Sequence, residues 1–171
     1  PQSLTPKQVI LYDGLRLTIE TLEVAYERLK ANLIKMAMEQ EQPLRDQALA
    51  VALLNAWSIV DSTNRLRNLL KYLPSITEIP KSEFPERTVF LKNTEIVERL
   101  RNRIQHLNKE LGILAQTFEP VLGTLGWFAI QDTIADRIKT GHNCLLISGT
   151  MPPKQRNYPL VDPRGKAFHH R

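Results

Sequence analysis

Six consecutive residues, Arg101-Asn102-Arg103-Ile104-Gln105-His106, hold the side chains best suited to chemistry in this chain. A guanidinium is a fixed planar fork that matches two phosphate oxygens at once. An imidazole has an ordinary pKa of about 6.5, so it gives or takes a proton near neutral pH. Arg101 and His106 together suit reaction at a phosphate, one as a cation for the charge that builds there and the other as a proton carrier. Asn102 adds an amide able to bond the phosphate or orient the ring. The spacing sets a condition. At about 100° per residue, Arg101 and His106 lie roughly 140° apart around a straight helix. Arg99, Asn102, Arg103 and His106 share a face that Arg101 does not. A joint site therefore needs a local distortion of the helix, a long reach by Arg101, or a second subunit presenting the same residues across a two-fold axis. The same segment also suits a solvated helix face, with Glu95, Arg99, Arg103 and Glu110 forming ordinary pairs three and four apart.

The Arg101-to-His106 spacing, with a polar residue directly after the Arg, resembles the R-x(4–6)-H motif of the HEPN superfamily (higher eukaryotes and prokaryotes nucleotide-binding). The resemblance covers about residues 15 to 115. It implies a helical bundle, usually a homodimer, with the motif in the later half of a long helix. It also implies a metal-independent endoribonuclease, without cofactor, of the kind found in toxin–antitoxin and antiviral defence systems, where an inhibitory partner protein is also expected. In that reaction the ribose 2′-OH attacks the adjacent phosphorus and leaves a 2′,3′-cyclic phosphate. His106 would be general acid and base, Arg101 the phosphate clamp, and Asn102 an assistant. Asp61 and Arg103 would support the site, and Arg65, Arg99 and Arg103 would contact RNA. Asn108 stands where toxin-type members often carry Tyr, two residues after the His. The residues alone leave two other readings open: a helical module that binds a partner protein without catalysis, and an RNA binder that does not cleave.

Around this segment, Asp61 is the best acidic partner on offer, either orienting His106 across the bundle or pairing with Arg65 four residues on. Asn55, Ser58, Ser62 and Arg65 recur at spacings of three and four, so they either line a cleft or hydrogen-bond between packed helices. Other candidates carry less. His169-His170 is a poor chelating pair, and Gly123-Thr124-Leu125-Gly126 lacks the Lys and the following helix of a phosphate loop. Cys144 reads as a buried thiol, and Trp127 and Phe128 as core residues of a strand. Lys154, Arg156, Arg164, Lys166 and Arg171 form a basic tail suited to phosphates or to solvent.

The elements that must position these groups follow from periodicity. Thr5-Pro6-Lys7-Gln8 reads as a helix start. Tyr12, Leu15, Ile19, Leu22, Tyr26, Leu29, Leu33 and Met36 then form a heptad stripe that ends near Gln40. Asp13-Gly14 offers a competing hairpin, but the stripe runs straight through it. A second helix is expected from Leu44 to Leu73, stopped by Pro74 and followed by a loop over 74–87. A third is expected over Thr88–Thr117, with Ile96, Leu100, Ile104, Leu107 and Leu111 as its core stripe, and a short fourth is marginal near Ile113–Val121. Beyond it, Leu125–Ile130 and Asn143–Ser148 read as strands bridged by a short helix near Asp132–Lys139, with an extended tail over 150–171. The expected fold is thus mainly α: a three-helix bundle over residues 1–121 and a small β annex with basic tail over 122–171, packed as one domain.

Composition fits that picture. Hydrophobic residues make up 42% of the 171 and Gly is scarce, which excludes a disordered chain. The net charge of +5 favours an anionic partner without specifying one. A single cysteine excludes an internal disulfide framework and suits a reducing compartment. No apolar run is long enough to span a bilayer, and no signal-like segment opens the sequence. A cytoplasmic protein is expected, and the start at Pro1 suits removal of an initiator Met.

Overall fold

The structure, a computed structural model, describes residues 4–38, 42–77, 85–117, 120–133 and 138–148. It is mainly helical, with a two-stranded antiparallel sheet at the C-terminal end: α1 (Pro6–Met38), α2 (Gln42–Thr77), α3 (Pro85–Asn93), α4 (Glu95–Gln105), α5 (Leu107–Thr117), β1 (Thr124–Thr133) and β2 (Ile138–Ile147). The tail over 150–171, with its basic residues and His169-His170, lies outside the described residues.

α1 starts where its sequence says it should. The Thr5 N–H donates to Gln8 Oε1 at 2.8 Å and the Gln8 N–H donates back to Thr5 Oγ1 at 3.4 Å, which closes a reciprocal cap before Pro6. Gly14 lies inside the helix, and no hairpin forms. A Cβ there would sit 3.4 Å from Leu69 Cδ1, so the bare backbone lets α2 come close. The two helices run antiparallel, tied at both ends: Gln8 Nε2 donates to the Ile76 carbonyl at 3.3 Å and Asn32 Nδ2 to the Ala48 carbonyl at 2.7 Å.

The seam between them has heptad spacing. Leu11, Thr18 and Ala25 are buried seven apart, and half-buried Leu15, Leu22 and Leu29 lead to buried Met36. On α2, Ala52, Leu66 and Leu73 are buried on one row and Asn55 and Ser62 on the next. The expected stripe is one position off in part. Tyr12, Ile19 and Tyr26 are exposed, because α1 is apolar over more than half its circumference and a single neighbour covers only the middle of that arc.

Pro74 does not end α2, which continues to Thr77. Proline cannot donate to the carbonyl four residues back, here that of Leu70. Arg87 of α3 supplies the donor instead: its Nε gives a 2.7 Å bond to the Leu70 carbonyl, and Nη2 reaches the Lys71 carbonyl at 3.4 Å. The expected loop over 74–87 is thus helix at both ends, with 78–84 outside the described residues.

The single third helix is corrected to three pieces, with breaks at Thr94 and His106. At the first break, Arg67 Nη1 donates to both the Leu91 carbonyl and Thr94 Oγ1, while Thr94 Oγ1 donates to the Phe90 carbonyl at 2.6 Å. At the second, the Lys109 N–H bonds the His106 carbonyl at 2.8 Å, an i to i+3 contact that interrupts the α ladder. The predicted core stripe of this region is also corrected: Ile96, Leu100 and Leu111 are exposed, and Ile104 and Leu107 are half-buried. The side of α4 that meets α2 carries Glu98 and Arg101, below Thr94 at its N-terminal cap, and Glu98 and Leu100 are roughly 160° apart around the helix. The marginal fourth helix near 113–121 is the end of α5, followed by a turn.

The strands are longer than their apolar cores. Asp132 pairs with Lys139 and Thr133 with Ile138, so the bridging helix expected at 132–139 is replaced by strand on both sides of residues 134–137, which lie outside the described residues. Gly123 enters β1 at φ 84°, a left-handed conformation that glycine adopts without strain, and Ser148 Oγ accepts the Leu122 N–H at 2.8 Å. Alternation then decides burial. Trp127 and Cys144 face a cavity of about 390 Å³ shared with Met36 and Leu49, whereas Phe128 is exposed on the outer face. Phe128 is therefore not a core residue.

Candidate functional site

Arg101 leaves α4 toward α2 and meets Asp61, whose carboxylate lies between two guanidinium groups. Arg101 Nε donates to Asp61 Oδ1 at 2.9 Å, and Arg65 Nη2 donates to Oδ2 at 3.2 Å. The hydrogen bond from Arg101, with the charges of Arg101 and Arg65, holds the Asp61 carboxyl below its usual pKa, against a smaller opposing effect of burial. Of the two roles open to Asp61, the pair with Arg65 forms, and the acid is turned to Arg101 rather than to His106.

The way Asp61 holds Arg101 matters chemically. The bond uses Nε, on the side edge of the fork, and neither terminal amine has a partner among the described residues. The Arg101 side chain is one-third exposed. A guanidinium fixed in this way has lost much of its rotamer freedom and still offers its Nη edge, the edge that grips phosphate.

The helix break falls on the motif histidine. His106 caps α4 with φ −109° and ψ 27°, its N–H on the Asn102 carbonyl at 3.1 Å. Its ring is exposed and has no hydrogen bond or ion pair among the described residues. A local distortion, one of the conditions for a joint site, is thus present at this residue. Arg99, Asn102 and Arg103 are exposed on α4 beside it. One chain brings together Asp61, Arg65 and Arg101, and separately displays Arg99, Asn102, Arg103 and His106.

What fixes α4 on α2 was not apparent from sequence. Arg67, with a side chain only 4% exposed, inserts under the α3–α4 joint and pairs with Glu98 at 3.7 Å, and Lys71 reaches the same carboxylate at 3.5 Å. Arg67 Nε is buried without a partner among the described residues. With Arg87 above and Arg101 below, three arginines set the register of this arm. A proline whose displaced carbonyl needs a donor was the one local clue, and it pointed to Arg87 only in retrospect.

The polar row of α2 resolves as a cleft lining. Ser58 and Asn55 face α1 across a groove about 310 Å³ in volume, with Ser58, Ser62, Asp61 and Arg65 around an adjoining pocket of about 230 Å³. Asn55 also donates to its own helix, at the Val51 carbonyl. Cys144 is half-buried against the 390 Å³ cavity, whose lining among the described residues holds no charged side chain. Among the described residues no three His, Cys, Asp or Glu side chains gather as metal ligands, and no helix is long and apolar enough to cross a membrane. No protein-family model, no curated protein and no solved structure matches the chain.

Proposed function

We propose that the chain is an RNA-cleaving protein of HEPN type that acts at Arg101 and His106, with a second copy completing the site. The observation that carries this reading is the anchoring of Arg101: Asp61 holds Nε and leaves the phosphate-gripping edge open. Phosphoryl chemistry rewards a cation that is positioned before the charge develops, because no reorganisation is then needed at the moment of reaction. His106 supplies the proton carrier, exposed at a helix break and able to approach a substrate bound to another guanidinium. The 2′-OH attacks phosphorus as His106 removes its proton, Arg101 bonds the phosphorane oxygens, and the imidazolium so formed gives the proton to the 5′-oxygen as its bond to phosphorus breaks. Arg99 and Arg65 hold flanking phosphates.

Pairing of two chains is supported by the thinness of the core. Among the described residues eight apolar side chains are buried, and none of the large ones completely. Domains this poorly filled gain stability by association. The same fact favours a second reading, a helical module that binds a partner protein without catalysis, since Ile96, Leu100 and Leu111 present an uncovered apolar row on α4 and α5.

The test is incubation of the purified chain with labelled single-stranded RNA and tRNA in EDTA, beside His106→Ala and Arg101→Ala. The expected result is cleavage to cyclic-phosphate ends by the parent, lowered at least a hundredfold in either variant, consistent with loss of a general acid/base or a charge-stabilising donor. His106 is exposed, so its variant keeps the parent's circular dichroism and oligomeric state. Intact RNA in every lane from a folded parent sinks the nuclease and puts partner binding first.

A further inference from the structure

The pocket beside Asp61 is built unlike an ordinary helix seam. It opens between α1 and α2, with hydroxyls from Thr18, Thr21, Ser58 and Ser62 and a rim formed by Asp61 and Arg65. Thr21 spends its hydroxyl on its own helix, at the Leu17 carbonyl, 2.7 Å away. Thr18 and Ser62 do not. They are 5% and 7% exposed, and neither side chain has a hydrogen-bond partner among the described residues. Among the described residues neither hydroxyl oxygen is a buried atom left without a partner, so both stay open to the pocket although the residues themselves are buried. Two hydroxyls that line one pocket and make no bond among the described residues are available to whatever enters it.

The size and chemistry of the pocket narrow what that is. About 230 Å³ is below the range of roughly 300–1,000 Å³ that encloses a drug-sized ligand. There is room for one heteroaromatic ring. Leu17 gives an apolar wall for a ring face, and the hydroxyls, each both donor and acceptor, suit the mixed edge of a base. The position is informative too, because Asp61 borders the pocket and holds Arg101 through its other side. A ligand seated here has its next substituent one carboxylate away from the phosphate-gripping edge.

We propose that this pocket receives one unstacked nucleobase of a single-stranded RNA whose adjoining phosphate lies on Arg101. The inference rests on the reading of Arg101 as a phosphate clamp. Single-stranded RNA is recognised through splayed bases, held by a face contact and edge hydrogen bonds, and the pocket offers both. The groove continues past Ser58 to Arg28, a second cation where the strand's next phosphate would pass.

The experiment titrates the full chain with the four nucleoside 5′-monophosphates and with ribose 5-phosphate, following the methyl NMR signals of Leu17, Thr18 and Thr21. At least one nucleotide is expected to shift these signals and to bind ten times more tightly than ribose 5-phosphate. The double variant Thr18→Val/Ser62→Ala, nearly isosteric, is expected to weaken nucleotide binding more than tenfold, at about fivefold for each neutral hydrogen bond. Ser58→Leu, a half-buried position on the pocket wall, fills the space from outside the seam and is expected to abolish the methyl shifts. Equal binding of ribose 5-phosphate, unaffected by these variants and lost in Arg101→Gln, overturns the base pocket and leaves the clamp standing. Nucleotide shifts at the methyls of these three residues that survive Arg101→Gln keep the pocket and overturn the clamp. No shift from any nucleotide at millimolar concentration overturns the pocket outright.

Discussion

α2 packs against α1 on one side and against α3 and α4 on another, and it holds the two attachments by opposite means. Toward α1 it presents a heptad seam of Ala52, Leu66 and Leu73, with Leu69 against the bare backbone of Gly14. Toward α3 and α4 it presents cations and their partners: Arg67 on the Leu91 carbonyl, Thr94 and Glu98, the Leu70 carbonyl on Arg87, and Asp61 on Arg101. α4 buries no side chain at all. The first attachment draws on apolar area removed from water and is insensitive to salt, whereas the second depends on charge and directed hydrogen bonds. The residues proposed for chemistry all sit on or against the second attachment. A candidate site on an arm joined by polar contacts can be re-aimed by small changes in those contacts, while the α1–α2 pair keeps the chain folded.

Leu66→Ala should give the largest effect and separates the two attachments most clearly. Removing a buried leucine side chain costs about 3 kcal/mol where the cavity does not collapse. Chemical denaturation should show that loss to the same extent at low and high salt, because no charge is involved. A strong salt dependence would mean that the seam is not the apolar attachment described here. Arg67→Met comes next, at about 2 kcal/mol, as the Leu91 carbonyl, Thr94 and Glu98 lose a charged donor in a buried place. Its signature is regional. Hydrogen exchange should quicken across α3 and α4 while α1 and the first half of α2 keep their protection. Uniform loss over all four helices would show that the arm and the seam unfold as one unit.

The same contrast explains what the sequence disclosed. A partner reached through apolar periodicity is visible locally, and α1, its Thr5–Gln8 cap and the first part of α2 were readable for that reason. Tyr12, Ile19 and Tyr26 misled because a stripe shows which arc is apolar, not how much of it one neighbour covers. On the arm, the contacts are single polar side chains meeting across long separations. Asp61 and Arg101 are 40 residues apart, and only the Asp61–Arg65 pair, four apart, could be seen from spacing. Pro74 read as a stop because the rule for proline is local, and the donor that rescues the helix, Arg87, lies on another element. Arg101 and His106 were legible as residue types. The Nε bond that gives Arg101 its aim was not, nor were the unspent hydroxyls of Thr18 and Ser62, since a small polar residue in a seam looks the same in sequence whether it is satisfied or not.

Asp61→Asn has the smallest expected effect on stability and the sharpest on the arm. The pair it breaks is half-exposed on the acid's side, so the loss at neutral pH is about 0.5 kcal/mol. The pH dependence has a defined sign. Because Arg101 and Arg65 lower the Asp61 pKa in the folded chain from its ordinary value of 3.8, the folded state favours the ionised form. That contribution is fully present above 3.8, declines as pH falls through the folded pKa, and is gone below it. Parent and variant should therefore differ in denaturation midpoint at pH 7 and converge in acid once the pH is below the folded pKa, and about 1 M salt at pH 7 should shrink the difference as well. A difference that persists in acid would assign the effect to packing rather than charge. The variant also loosens Arg101 without removing it, so the proposed RNA cleavage should fall while the fold is retained, and Arg101→Lys, which cannot reproduce the Nε anchor, should behave alike. If Asp61→Asn cleaves as fast as the parent, the anchor belongs only to the attachment of α4 on α2 and contributes nothing to the aim of the guanidinium.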